Sequence, residues 1–343
     1  AAGRDVTIES SGATPVVPLS ALGRLSIEAQ NITQGGHVVA PFGQISLDAV
    51  GNLNLEPGSV TSVAGTPGQV LPVGQLLNGI EWRVNLQPGA LGTGQTTLNE
   101  MPGKELRLTG AQVALKSGST VNLSGGGDLQ AYEFTAGPGG SRDILTDANT
   151  YAIIPGYQSG FAPDDAQEST GLAVGEAVYL KGVKGLADGR HVLLPAHYAL
   201  LPGAMVVRFN GDAAPISEQS ITRQDGVQIA AGYLTDSRPG APRGGDWQGV
   251  QVLTQEQLRA RSEFTLARAS TFFAGTGPLP QDAGLLSLAT QGQIQLDATI
   301  QGAGTTDDGV SYGFTNFEWL GGTGRGAWCY KDGEPLVWAG RSG

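Results

Sequence analysis

With 343 residues the chain is long enough for two ordinary domains, and its 40 % apolar content suffices to build a core, so wholesale disorder is excluded. Thirty-one acidic against 20 basic residues leave a net charge of −11, which excludes a general grip on nucleic acid or heparin, since both need clustered Lys and Arg. One cysteine, Cys329, excludes an intrachain disulfide, and 54 glycines without a triplet period point to many tight turns between short strands.

The N-terminal AAGRDVTIESSG has neither a charged n-region nor an apolar h-region, so no signal peptide is read in it. GRDVTIESSG places Val6 and Ile8 as an alternating apolar pair. The phrase recurs as GRLSIEA from Gly23 and GQISLDA from Gly43, with Leu25 and Ile45, and Ile27 and Leu47, twenty positions apart. NLNLEPGSV continues it through Leu53 and Leu55. Short alternating strands at a period near twenty residues, punctuated by Gly, Asn and Pro, predict an all-β solenoid of stacked rungs, most simply a parallel β-helix.

From about Thr66 to Met101 the pattern gives way to Pro and Gly with scattered strands such as IEWRVNL, predicting a loop excursion from the coil near 66–101. It returns in ELRLTGAQVALKSGSTVNL, where Leu106 and Leu108, Val113 and Leu115, and Val121 and Leu123 form three closely spaced pairs. Such spacing fits successive sides of one rung. A first coil segment is thus read over 1–127. Over 128–262 the period is lost and candidate strands such as AVYLKGV, HVLLP, YALLPG, AMVVRF and VQIAAGYL suggest an inserted β-rich, partly antiparallel module. Its one helical phrase is TQEQLRARSEF, where Thr254 and Gln257 form a capping box before Leu258. HVLLPAHYALLPGAMVVRF is broken by Pro and Gly and reads as two paired strands rather than a membrane span. Rungs resume over 263–308, where Leu286, Leu288, Ile294 and Leu296 keep the alternation and GQIQLDA from Gly292 nearly copies GQISLDA. The tail, 309–343, has no rung phrase.

The rung phrases together with GGDLQAYEFTAGPGGSRDIL, YAIIPGYQSGFAPDD and GEAVYLKGVKGLADGRHVLLPAHYALLPGAMVV resemble the large filamentous-haemagglutinin-type exoproteins of bacterial two-partner secretion. The resemblance covers roughly Gly23 to Asp308 and is most specific from Gly126 to Phe209. It implies a right-handed parallel β-helix, export through an outer-membrane transporter pore as partner, a secreted or cell-surface location, and a role as adhesin or stalk in attachment to host cells or other surfaces. The amino-terminal secretion domain of that family is not evident, so the chain reads as an interior or C-terminal fragment.

The other function class open to a β-helix is a polysaccharide lyase or glycoside hydrolase, which needs convergent carboxylates. Asp164, Asp165 and Glu168, and Asp307 with Asp308, sit among loop residues, and neighbouring strand residues point to opposite faces, so the solvated-loop reading is preferred. His37, His191 and His197 lack metal-ligand spacing. SGGGDLQAYE is one imperfect copy of a calcium-binding nonapeptide, which cannot assemble the shared site of a stack. Asn31 and Asn122 open N-x-S/T phrases. No metal, cofactor, nucleic-acid or catalytic site is therefore read. The candidate contact residues are aromatics of the inserted module, Trp247, Tyr233, Tyr198, Tyr157 and Phe161, which offer either a core for that module or an exposed platform for a glycan or host protein.

Overall fold

The computed structural model describes residues 3–12, 18–84, 96–137, 140–157, 176–216, 219–236 and 246–304, and the backbone of Tyr312–Glu318, Arg325–Lys331 and Glu334–Leu336. Its regular structure is mainly β, in two compact units. One comprises Ala1–Leu71, Asn99–Leu129 and Arg268–Gly343, the other Pro72–Leu98 and Gln130–Ala267.

The first unit contains three parallel sheets. Their strand orders are Arg24–Ala29, Gln44–Ala49, Glu105–Gly110, Leu285–Thr290; then Val6–Ile8, Ile32–Gln34, Asn52–Leu55, Gln112–Leu115, Ile294–Leu296; then His37–Val39, Val60–Ser62, Thr120–Asn122, Thr299–Gln301. The twenty-residue offset is reproduced in the register, Leu25 opposite Ile45 and Ile27 opposite Leu47. The closely spaced pairs around Leu106, Val113 and Val121 fall in three different sheets. The chain leaves and returns without losing register: Leu106 pairs with Ile45 on one side and with Leu286 on the other.

Alternation explains the core. Ile45, Leu106 and Leu286 form one buried line and Leu47, Leu108 and Leu288 the next, joined by Leu53, Val113, Leu55 and Leu115. Each fully buried aliphatic side chain contributes about 1.5–3 kcal/mol of transfer free energy. Gln34 breaks the apolar line opposite Leu55 yet is wholly buried. Its amide donates to the Gly36 and Val60 carbonyls at 3.0 and 3.1 Å, and its Oε1 accepts from the Gly36 N–H at 2.8 Å, so the burial is hydrogen-bonded. The glycine opening the Gly43 phrase also has a cause: a Cβ there would lie 2.1 Å from the Gly23 carbonyl oxygen, where the Gln44 N–H now donates. At Gly65 a Cβ would strike the ring of Phe42, itself buried with φ near 55°.

Two repeated phrases occupy positions other than those their spelling suggests. GQIQLDA does not sit opposite GQISLDA; its Ile294 pairs with Val113, in line with Leu53, and the strand in line with GQISLDA is Leu285–Thr290. Likewise Val6 pairs with Ile32 rather than joining the sheet of Leu25. Alternating apolar pairs look alike in each of the three parallel sheets, so spelling alone does not fix the sheet.

The second unit holds an antiparallel sheet in the order Thr150–Ile153, Met205–Asp212, Gln248–Thr254, Gln228–Asp236, Glu176–Lys181, Gly189–Val192, with Ile221–Thr222 beside Gln228–Asp236. One face buries Val178, Leu180, Val207, Ala230, Val250 and Val252 with Phe209 and Leu193. The excursion near 66–101 carries the strand Glu81–Val84 within IEWRVNL and also the strands Val70–Leu77 and Thr96–Leu98, with Trp82 fully buried, and its residues from Pro72 to Leu98 belong to this unit. The helical phrase forms Gln255–Arg259, with both bonds of the capping box between Thr254 and Gln257, but ends there. Ser262, fully buried, bonds the Arg142 carbonyl and the Ile144 N–H, and Glu263 begins a strand. HVLLPAHYALLPG is not a pair of strands: Pro195, which has no N–H for a ladder, precedes a 3-10 helix, Ala196–Leu200, and the strands on either side belong to different places in the sheet. The tail forms a three-stranded antiparallel sheet of Tyr312–Glu318, Arg325–Lys331 and Glu334–Leu336.

Candidate functional site: an aromatic row on the second unit

Cross-strand register assembles the site. In Glu176–Lys181, Val178 and Leu180 point to the buried face, so Tyr179 points to the other. Tyr179 lies opposite Tyr233 on one side and opposite Arg190 on the other. Gly232 pairs with Gln248, which brings Trp247 next to Tyr233. Rings of Tyr179 and Tyr233 stack with centroids 5.1 Å apart and planes within 7° of parallel. The Trp247 indole stands edge-on to both, 4.9 Å from Tyr233 and 6.0 Å from Tyr179. Directly opposed strand residues lie on one face, so Arg190, Tyr179 and Tyr233 form a row across three strands, which Trp247, just before Gln248–Thr254, extends by its ring contacts.

Trp247 is 51 % exposed, Tyr179 and Tyr233 are half-buried, and Arg190 is exposed, with Nη1 donating to the Asp236 carbonyl at 3.2 Å. Ring contacts this close leave no gap for a cation between the rings. The arrangement is a platform rather than a cage, suited to apolar faces laid across it.

The expected residues divide. Trp247 and Tyr233 come together. Tyr198 is buried in the 3-10 helix, its ring 4.8 Å from His197, and is core rather than platform. Tyr157 lies in the turn after Thr150–Ile153, the far edge strand of the sheet. Phe161, with Asp164, Asp165, Glu168, Asp307 and Asp308, lies outside the described residues. Tyr179 was missed. Its signal was present in AVYLKGV, where inward Val178 and Leu180 force Tyr179 outward.

The other candidates find structural roles. Asp128, the acidic residue of the calcium-like phrase, accepts from the Leu129 and Ser270 amides at 2.8 and 3.2 Å and from the Ser270 hydroxyl at 2.6 Å, holding the start of the helix Ala269–Phe272. Asn31 donates to Asp5 at 2.8 Å and accepts from the Asn52 N–H at 2.9 Å, and Asn122 accepts from the Ser124 N–H at 3.0 Å. His191 contacts the Ala187 carbonyl at 3.1 Å, and burial lowers its pKa. His197 stacks on Tyr132 at 5.9 Å. Among the described residues no group of His, Cys, Asp and Glu is arranged to hold a metal ion, and no helix is long and apolar enough to cross a membrane. The first unit contains a second chemically distinctive group that the sequence did not single out, Lys104, buried beside Phe42 with Nζ 2.9 Å from the Pro280 carbonyl oxygen.

Comparisons with protein-family models, with curated proteins and with solved structures found no match.

Proposed function

We propose that this chain is a structural and adhesive segment of a secreted bacterial surface exoprotein of the filamentous-haemagglutinin type, non-enzymatic and exported by two-partner secretion through an outer-membrane pore. In this reading the first unit is a right-handed parallel β-helix, the hand that parallel crossovers overwhelmingly take. The second unit interrupts it and carries the contact surface for host cells or other surfaces.

One observation carries the proposal: parallel register is regained between Glu105–Gly110 and Leu285–Thr290, after an interval occupied largely by the second unit. A scaffold that resumes unchanged on the far side of an insertion tolerates what is inserted, and function concentrates on such projections. The aromatic row supplies a face on which a sugar ring or an apolar patch can lie.

The test is binding of the purified chain to a glycan array and to cultured epithelial cells, in parallel with Trp247→Ala and a Tyr179→Ala/Tyr233→Ala double variant. Loss of at least tenfold in apparent affinity is expected for both variants, with the far-edge variant Tyr157→Ala unchanged. Binding that survives removal of the row, or cleavage of acidic polysaccharides by the chain, would refute this reading.

A further inference from the structure

Lys104 immediately precedes the strand Glu105–Gly110, and only 6 % of it is exposed. Its Nζ donates to the Pro280 carbonyl at 2.9 Å and stands 5.6 Å from the centre of the Phe42 ring. The side chain forms part of the wall of a cavity of about 160 Å³, otherwise walled chiefly by Phe42, Met101, Pro278, Leu279 and Leu285. An apolar cavity of about 150 Å³ accommodates benzene. Burial lowers the amine's pKa from 10.5 to about 8, with the Asp282 carboxylate acting in the opposite sense. At pH 7.5 roughly a quarter of such amines are neutral, against about 0.1 % of ordinary exposed lysines. A neutral amine in an apolar pocket is the nucleophile from which lysine Schiff bases form.

We propose that Lys104 is a covalent capture site for small apolar aldehydes no larger than about benzaldehyde. The Nζ lone pair forms a bond to the carbonyl carbon and the oxygen takes up a proton, giving a carbinolamine. Loss of that hydroxyl with the remaining N–H proton releases water and leaves the imine. No oxidant or reductant takes part. The aldehyde's apolar body occupies the cavity against Phe42 and Leu285 while the Pro280 carbonyl orients the amine before attack. This site is separate from the aromatic row and does not depend on the adhesive reading.

The experiment is reductive trapping on the intact chain: benzaldehyde with cyanoborohydride at pH 7.5, initial rates of benzylation read by peptide mass mapping at Lys104 and at exposed Lys184. Lys104 is expected to react at least tenfold faster than Lys184, and benzyl alcohol, which fills the cavity without reacting, is expected to slow Lys104 alone. A Lys104 rate no greater than that of Lys184, or one indifferent to benzyl alcohol, would overturn the proposal.

Discussion

Replacing Lys104 with Met tests whether the buried amine costs the fold what its surroundings require. Its pKa falls from 10.5 to about 8 because burial penalises the ammonium. At 1.36 kcal/mol per unit, that gap is about 3 kcal/mol. The sign follows from proton counts: between pH 8 and 10.5 the unfolded chain binds more protons at this group, so stability rises with pH across that window. Below pH 8 the whole penalty applies. The Pro280 carbonyl can accept from either protonation state, whereas attraction to the Asp282 carboxylate and the Phe42 ring acts on the ammonium alone and opposes the penalty of burial, so only the net shift titrates. Urea unfolding of both proteins at pH 7 and pH 10 isolates the titrating part. The wild type is expected to gain about 2 kcal/mol on Lys104→Met at pH 10 relative to pH 7, most of the full shift. A difference between the two proteins that does not change with pH would refute the reasoning.

Other substitutions probe the scaffold and the row. Leu106→Ala, in the buried line between Ile45 and Leu286, is expected to cost about 2–5 kcal/mol in urea unfolding. Gln34→Leu matches the apolar residues of its line, yet it orphans the buried Gly36 N–H and is expected to destabilise by about 1–3 kcal/mol, whereas simple hydrophobicity predicts a gain. Asp128→Ala removes three accepted bonds and is expected to cost about 1–2 kcal/mol, read the same way, with no change on adding calcium to either protein. Trp247→Ala forfeits two edge contacts at a half-exposed position, so its unfolding free energy is expected to fall by less than about 2 kcal/mol while surface binding collapses.

What was legible in the sequence follows from which forces are local. Alternation in RLSIEA, QISLDA and ELRLTG reports directly on which side chains face inward, so strand existence and the twenty-residue register could be read from one chain. The capping box at Thr254 and Gln257 is equally local. Which of the parallel sheets a phrase joins depends on the turns before it, and so GQIQLDA resembled GQISLDA while belonging beside Gln112–Leu115. The segment after Thr66 reads as a loop with scattered strands because Pro and Gly dominate its spelling, although the Asn78-Gly79 turn that pairs Leu76 with Trp82 is local, and Trp82 pairs with Leu98 on its other side. In the site, Trp247 and Tyr233 stood out by residue type, but their adjacency, and Tyr179 between Tyr233 and Arg190, arise from antiparallel register across chain separations that no short motif encodes. Lys104 carried no sequence signal at all, since its burial depends on Phe42 and Pro280, remote from it in the chain.

The proposed function requires one stack of rungs that persists through the interruption, and a cross-link between Glu105–Gly110 and Leu285–Thr290 measures that most directly. Arg107 lies opposite Ser287, both away from the buried lines. Neighbouring strands run about 4.8 Å apart, within disulfide reach. With Cys329 replaced by Ser, an Arg107→Cys/Ser287→Cys chain is expected to close an intramolecular disulfide readily on mild oxidation. An Arg107→Cys/Gln295→Cys chain, whose second position pairs with Ala114 in another sheet, is expected not to. Equal closure in both chains, or none in the first, would contradict the continuous stack.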